Sequence, residues 1–219
     1  MITLKSKREI DIMRKAGEIA AEALARIVDE IEPGITTIAL DSLAEKFIRS
    51  RGGEPAFKGY HSYPASICVS INDEVVHGIP SQMRTIEEGD IVSIDLGVKY
   101  MGFYGDIAAS VVVGRGSEIA EKLVDVTKKS LFLGIEQAYP GNRLFDIGHE
   151  IQTYVESQGF SVVKQYVGHG IGRSLHEEPQ VPNFGEKGKG ILLEPGLTIA
   201  IEPMVNAGGF EVYTLSDGW

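Results

Sequence analysis

The sequence predicts an α+β protein built from two similar halves, and three observations carry that expectation. Stretches of helical period alternate with Val- and Ile-rich stretches of strand character along the whole chain. Pro33-Gly34 and Pro140-Gly141 lie 107 positions apart, and the same offset lays Ser50 on Ser157, Gly52 on Gly159, Gly89 on Gly196 and the segment IVSID on TIAIE. The composition is that of a globular chain, with 219 residues, 43% hydrophobic and 24% charged, and a mean hydropathy of −0.01.

The elements follow in order. Ser6 with Glu9 reads as a capping box, and Ile10, Met13, Ala20, Leu24, Ile27 and Ile31 recur at helical spacing until Pro33-Gly34. A second helix is expected from Thr37 to about Arg51, ending at Gly52-Gly53. A loop holding Phe57, Tyr60 and Tyr63 precedes three strand segments, ASICVSI, DIVSIDLGV and FYGDIAASVVV. Helical period returns from Glu118 to Tyr139 and again to about Gln158. Strands are then expected over SVVKQYV and LTIAIEPM, with a Gly/His loop between them. No linker separates the halves, so the chain is read as one domain, 1–219, with pseudo-repeat halves at about 1–113 and 114–219.

Composition excludes several classes. The net charge of −10 lacks the basic footprint of a protein for which nucleic acid is the main ligand. The single cysteine, Cys68, allows no internal disulfide framework and suits a reducing compartment. No stretch approaches the ~18 apolar residues of a membrane span, and the charged N-terminal stretch lacks the apolar run of a signal peptide.

The chemistry concentrates on acids within the strands. A two-residue loop at Met101-Gly102 pairs Tyr100 with Phe103, which sets Asp106 opposite Gly97 and two residues from Asp95. The two carboxylates are then diagonal neighbours on one face, whereas a three-residue loop would separate them. At ~5 Å and an effective dielectric of ~20, two bare carboxylates repel by roughly 3 kcal/mol, so a shared proton or a bound cation is expected there. Glu202 is the pseudo-symmetric partner of Asp95. His77, His169 and His176 each sit in or beside a glycine-rich turn, and imidazole with carboxylate suits Mn, Fe, Co or Zn. Bridging carboxylates with few histidines suggest two ions. The run Gly168, Gly170, Gly172 has the wrong spacing for a nucleotide cradle, and His149 reads as structural.

Five motifs in order, NDEVVHGIP, GDIVSIDLGV, FYGDIA, YVGHGIGRSLHEEPQVPN and TIAIEPMVNAG, resemble those of type I methionine aminopeptidases of the bacterial kind, from about Ser6 to Trp219. The resemblance implies the pita-bread (creatinase/aminopeptidase) fold, an α+β architecture of two pseudo-symmetric halves around an antiparallel sheet. It implies removal of the initiator methionine from nascent proteins whose second residue is small, in the cytoplasm, by a monomer with the ribosome as a further partner. It implies two divalent ions (Co, Mn, Fe, Zn or Ni), with Asp95, Asp106, His169 and Glu202 as metal ligands. His77 and His176 are then catalytic, contacting substrate and steadying the transition state. Phe57, Tyr60, Tyr63, Cys68, Leu175 and Trp219 line the methionine pocket, with Leu175 standing where a larger aromatic is common. The family's second bridging glutamate lies on a strand beyond Trp219, so the resemblance also implies a chain lacking the final strands and less active than a longer form. Two other readings are a proline-directed peptidase of the same fold and a metal-free binding protein on that fold.

Overall fold

A computed structural model describes residues 2–219, which form two compact units. The first holds residues 7–120, 172–175 and 219; the second holds residues 2–6, 121–171 and 176–218. Antiparallel pairing and helices are present in both, as an α+β chain requires.

In the first unit, helix α1 (Lys7–Asp29) buries Ala16, Ile19, Ala20, Ala23, Leu24 and Ile27 along one stripe. Helix α2 (Thr37–Ser50) buries Leu40, Ala44 and Ile48, and with them Asp41. Four strands follow, β1 (Glu54–Pro55), β2 (Ile67–Ile71), β3 (Ile91–Tyr100) and β4 (Phe103–Val112). Strand β4 pairs with β3 from end to end, so β2 and β1 share the other edge of β3. Ile67, Val69, Ile94, Leu96 and Val98 close this core against the helices. The β3–β4 loop is the expected two-residue turn. Met101 (φ 48°) and Gly102 (φ 81°) both take left-handed backbone, the geometry that matches strand twist, and Tyr100 faces Phe103. A Cβ on Gly105 would lie 2.6 Å from the backbone nitrogen of Gly17, so glycine lets α1 lie directly on β4 beside Asp106.

The second unit begins with most of helix α3 (Glu118–Ile135) and continues through helix α4 (Leu144–Ser157). Strands β5 (Ser161–Val162), β6 (Gly168–Gly170), β7 (Glu177–Val181), β8 (Ile199–Ala200) and β9 (Val205–Asn206) follow. Helix α3 stops four residues before the expected Tyr139. The chain tightens there, with Gln137 bonding back to Gly134 and Ala138 to Ile135. Asp146 caps α4 by accepting the Arg143 N–H at 2.7 Å. Ile147, Ile151, Val155, Val162 and Val181 form the core of this unit.

The strand expectations for SVVKQYV and LTIAIEPM need correction. Only Ser161–Val162, pairing with β9, and Ile199–Ala200, pairing with β6, enter ladders. Strand β6 is held close between neighbours: a Cβ on Gly168 would lie 2.3 Å from the Ala200 carbonyl oxygen, and one on Gly170 would lie 2.3 Å from that of Glu178. The register also shifts between His169 and Gly170. The glycine run is therefore a packing device within a short sheet. Glu202 consequently follows a strand end, whereas Asp95 sits inside a ten-residue strand.

Residues 2–6 are bound into the second unit. The Lys5 N–H donates to the Gly196 carbonyl at 2.7 Å, and Lys5 Nζ reaches Glu177 Oε2 at 2.5 Å and the Thr3 carbonyl at 3.0 Å. Among the described residues no helix is long and apolar enough to cross a membrane.

Candidate functional site

The first unit places Asp95 and Asp106 where the hairpin argument puts them. Asp106 faces Gly97, Asp95 faces Ala108, and both carboxylates lie on one side of the β3–β4 pair. Cys68, on β2, faces Asp95. Burial pushes the Cys68 thiol well up, and the negative charges of Asp95 and Asp106 push the same way. Cys68 is thus a small, buried, neutral thiol rather than a nucleophile.

One of the aromatic residues packs directly on this face. A Cβ on Gly97 would lie 2.8 Å from Phe57 Cε1, so the Phe57 ring rests on Gly97, directly opposite Asp106. The buried Tyr63 hydroxyl lies 3.1 Å from the carbonyl oxygens of both Ile67 and Gly78 and shares its single proton between them. Its ring meets Trp219 edge-on at 5.0 Å, and the His77 ring meets Trp219 at 5.7 Å. Burial lowers the pKa of His77, which keeps the imidazole neutral at neutral pH. Tyr60 is half-buried with its ring against His61, and Leu175 is buried in the same unit.

The second unit holds the remaining candidates. The rings of His169 and His176 lie 4.1 Å apart. His169 Nδ1 lies 2.8 Å from the Gly170 carbonyl, which can only accept, so Nδ1 carries a proton. In a neutral ring the Nε2 lone pair then points at Glu202 Oε1, 3.1 Å away. Two acceptors face one another across that gap, an arrangement that requires positive charge, either a proton or a metal cation. An imidazole oriented through Nδ1–H to a carbonyl, with Nε2 beside a carboxylate, is the donor set of a first-row divalent ion. These residues therefore fit the metal that the sequence implies.

Sequence reasoning missed three residues here. Fully buried Asn183 donates through Nδ2 to the Glu202 carbonyl at 2.6 Å and so fixes the backbone that carries that carboxylate, while its Oδ1 has no partner among the described residues. Gly97 carries the Phe57 ring; its signal was a glycine inside the apolar run DIVSIDLGV, two residues from Asp95. Asp41 is an acid on the apolar stripe of a helix, a mismatch that the helical period does show.

A family model for metallopeptidase family M24 matches residues 11–219. The chain belongs to this family. It is 54% identical to the methionine aminopeptidase of Clostridium perfringens over 219 residues, all of this chain and 88% of that protein. It superposes on the crystal structure of a methionine aminopeptidase from Thermotoga maritima with a TM-score of 0.98 at 46% identity, covering all of this chain and 88% of the other. A prolidase from Pyrococcus horikoshii matches with a TM-score of 0.79 at 29% identity, over 91% of this chain and 55% of that one. The fold is thus the pita-bread fold of the M24 enzymes, and the family resemblance drawn from the five motifs holds. As a metallopeptidase it is a hydrolase that works with divalent ions.

Proposed function

We propose that this chain removes N-terminal methionine from polypeptides, acting in the cytoplasm on nascent chains whose second residue is small. The observation that carries this reading is the Phe57 ring seated on Gly97, which sets an aromatic wall on the face that bears Asp95 and Asp106. A methionine thioether suits such a wall, because sulfur makes favourable contacts with ring edges. Identity of 54% to a methionine aminopeptidase against 29% to a prolidase supports the same choice over a proline-directed peptidase.

In this reading Asp95, Asp106, His169 and Glu202 would hold the divalent ions. When bound, the ions supply Lewis acidity and a water of lowered pKa. Phe57, Tyr60, Tyr63, Cys68, Leu175 and Trp219 hold the methionine side chain. His77 and His176 direct ring N–H groups at the oxygen of the first peptide carbonyl and stabilise its developing charge. Water adds to the carbonyl carbon as Glu202 takes its proton, and the C–N bond breaks as Glu202 passes that proton to the leaving amine, so that methionine departs as the free acid and the amine becomes a new N-terminus. The chain 1–219 works as one catalytic domain derived by duplication, as a monomer, with the ribosome as the source of its substrate.

The test is release of methionine from Met-Ala-Ser and of the first residue from an Xaa-Pro peptide, in Mn or Co under anaerobic conditions. Metal-dependent cleavage of Met-Ala-Ser alone is expected. Preference for the Xaa-Pro peptide, or cleavage unaffected by chelator, overturns the reading.

A further inference from the structure

Asp41 and Glu45 stand one turn apart on α2, and their carboxylates grip both ends of the aromatic segment. Asp41, 7% exposed, accepts the backbone N–H groups of Ser66 at 2.7 Å and Ile67 at 3.1 Å through one oxygen. Glu45 accepts Lys58 Nζ at 2.7 Å and the Ser66 hydroxyl at 3.2 Å, and is braced by Arg49 at 2.9 Å. Lys58 adjoins Phe57, and Ile67 adjoins Cys68. From these contacts we infer that Asp41 and Glu45 are positioning residues that set the depth and shape of the methionine pocket by holding segment 57–67 in place; the inference rests on the function proposed above.

The segment needs an external hold. Gly59 (φ 85°), His61 (φ 45°) and Ser62 (φ 70°) take left-handed backbone within four residues, and two of the three carry a Cβ. Such conformations persist only where the surroundings over-determine them. Inside the segment, the Gly59 N–H bonds to the Tyr63 carbonyl and the Tyr60 N–H to the Phe57 carbonyl, which close the loop on itself but do not fix it to the fold. Attachment comes from the pairing of β1 and β2 with β3 beyond its two ends, from the Phe57 ring on Gly97, from the Tyr63 hydroxyl, and from α2, whose two carboxylates hold Lys58, Ser66 and Ile67.

The chemistry of the two acids suits the task. A buried acid on the apolar stripe of a helix is disfavoured against leucine unless it satisfies donors that would otherwise be buried unmet. Asp41 does this for two N–H groups at the entry to β2, where Ser66 is fully buried. Glu45 carries the charge for the outer grip, since the ammonium of Lys58 and the guanidinium of Arg49 favour its ionised form. Neither carboxylate is expected to touch substrate, so the effect passes through Phe57, Tyr63 and Cys68.

Trp219 is the sole tryptophan and packs on Tyr63, so its emission reports the state of the segment without any turnover. The experiment compares wild type, Asp41→Asn, Lys58→Ala and the double variant Asp41→Ala/Glu45→Ala, each loaded with Mn. In the double variant we expect KM for Met-Ala-Ser to rise about tenfold, kcat to stay within about twofold and metal content to hold. The preference for Met-Ala-Ser over norleucine-Ala-Ser should also shift, and Trp219 emission should move to the red with faster acrylamide quenching. Asp41→Asn keeps an acceptor oxygen and should match wild type. If the double variant does not fold, Lys58→Ala removes the outer grip alone and should raise KM about threefold with melting unchanged. Wild-type KM, substrate preference and Trp219 emission in a folded double variant overturn the inference. So does a fall in kcat that merely tracks lost folded protein, and so does an unchanged KM in Lys58→Ala. A wild type that releases no methionine overturns the proposed function instead, while the Trp219 readout still decides whether α2 holds the segment.

Discussion

Replacing Gly97 by alanine should injure substrate binding more than it injures the fold. The added methyl would lie 2.8 Å from both Phe57 Cε1 and Ala56 Cβ, where ordinary contact begins at 3.4 Å. Ala56 and Phe57 must together yield about 0.6 Å, because β3 is paired on both edges and cannot retreat. Overpacking of this kind costs typically 1–3 kcal/mol. At roughly 2–4 °C per kcal/mol for a chain of this length, the melting temperature should fall by about 2–12 °C. If the Phe57 ring takes most of the displacement, methionine loses part of its wall, and a loss of about 1.4 kcal/mol in binding raises KM about tenfold. The carboxylates stay in register, so metal content and kcat should change little. Steady-state kinetics on Met-Ala-Ser, with metal analysis and thermal melting on the same preparation, make the measurement. An unchanged KM with lowered melting would remove Phe57 from the pocket wall. Unchanged values of both would refute the overlap argument itself.

Three further outcomes follow from the same geometry. Asp106→Asn should lose bound metal in equilibrium dialysis, whereas His176→Ala should keep it and lose at least tenfold in kcat; the reverse pattern would exchange their roles. Tyr63→Phe removes the hydroxyl bond to the Ile67 and Gly78 carbonyls, the latter keeping the Val69 N–H at 2.8 Å, and should destabilise the chain by about 1 kcal/mol in urea unfolding, with a midpoint equal to wild type counting against the hydroxyl bond. The Glu45 carboxyl is held down to about 2, chiefly by Lys58, from an ordinary value of 4.5. A depressed carboxylate stabilises the fold above its unfolded pKa and ceases to do so as pH falls through its folded one. Wild type should therefore lose its advantage over Glu45→Gln between about pH 4.5 and pH 2, and a pH-independent difference in urea midpoint would contradict that account.

Local rules reached some parts of the molecule and not others. The β3–β4 register was legible because Met101-Gly102 admits one turn geometry, and that turn fixes the face of both aspartates. Helix α2 was legible because Gly52 and Gly53 end its period. The strands of the second unit were not, because Val- and Ile-rich composition states what a segment can form rather than whether a partner lies beside it. Strand β8 pairs for two residues only, and β6 shifts register after His169. The work of Asp41 depends on backbone groups 25 and 26 residues away, and that of Asn183 on a carbonyl 19 residues away. Such pairings belong to tertiary structure, so no local period announces them.

The anchoring of Lys5 has a consequence for the order in which the chain acquires structure during its own synthesis. Its ammonium partner, Glu177, is 172 positions downstream, and its backbone partner, Gly196, is later still. At about 5–20 residues per second, roughly ten to thirty seconds of translation separate the emergence of Lys5 from that of Glu177. Throughout that interval residues 2–6 have no native seat, although α1, immediately after them, can already dock on the β3–β4 hairpin. Residues 2–6 are therefore among the last of this chain to be secured, and they stay open to solvent for most of the time the segment that seats them is being made.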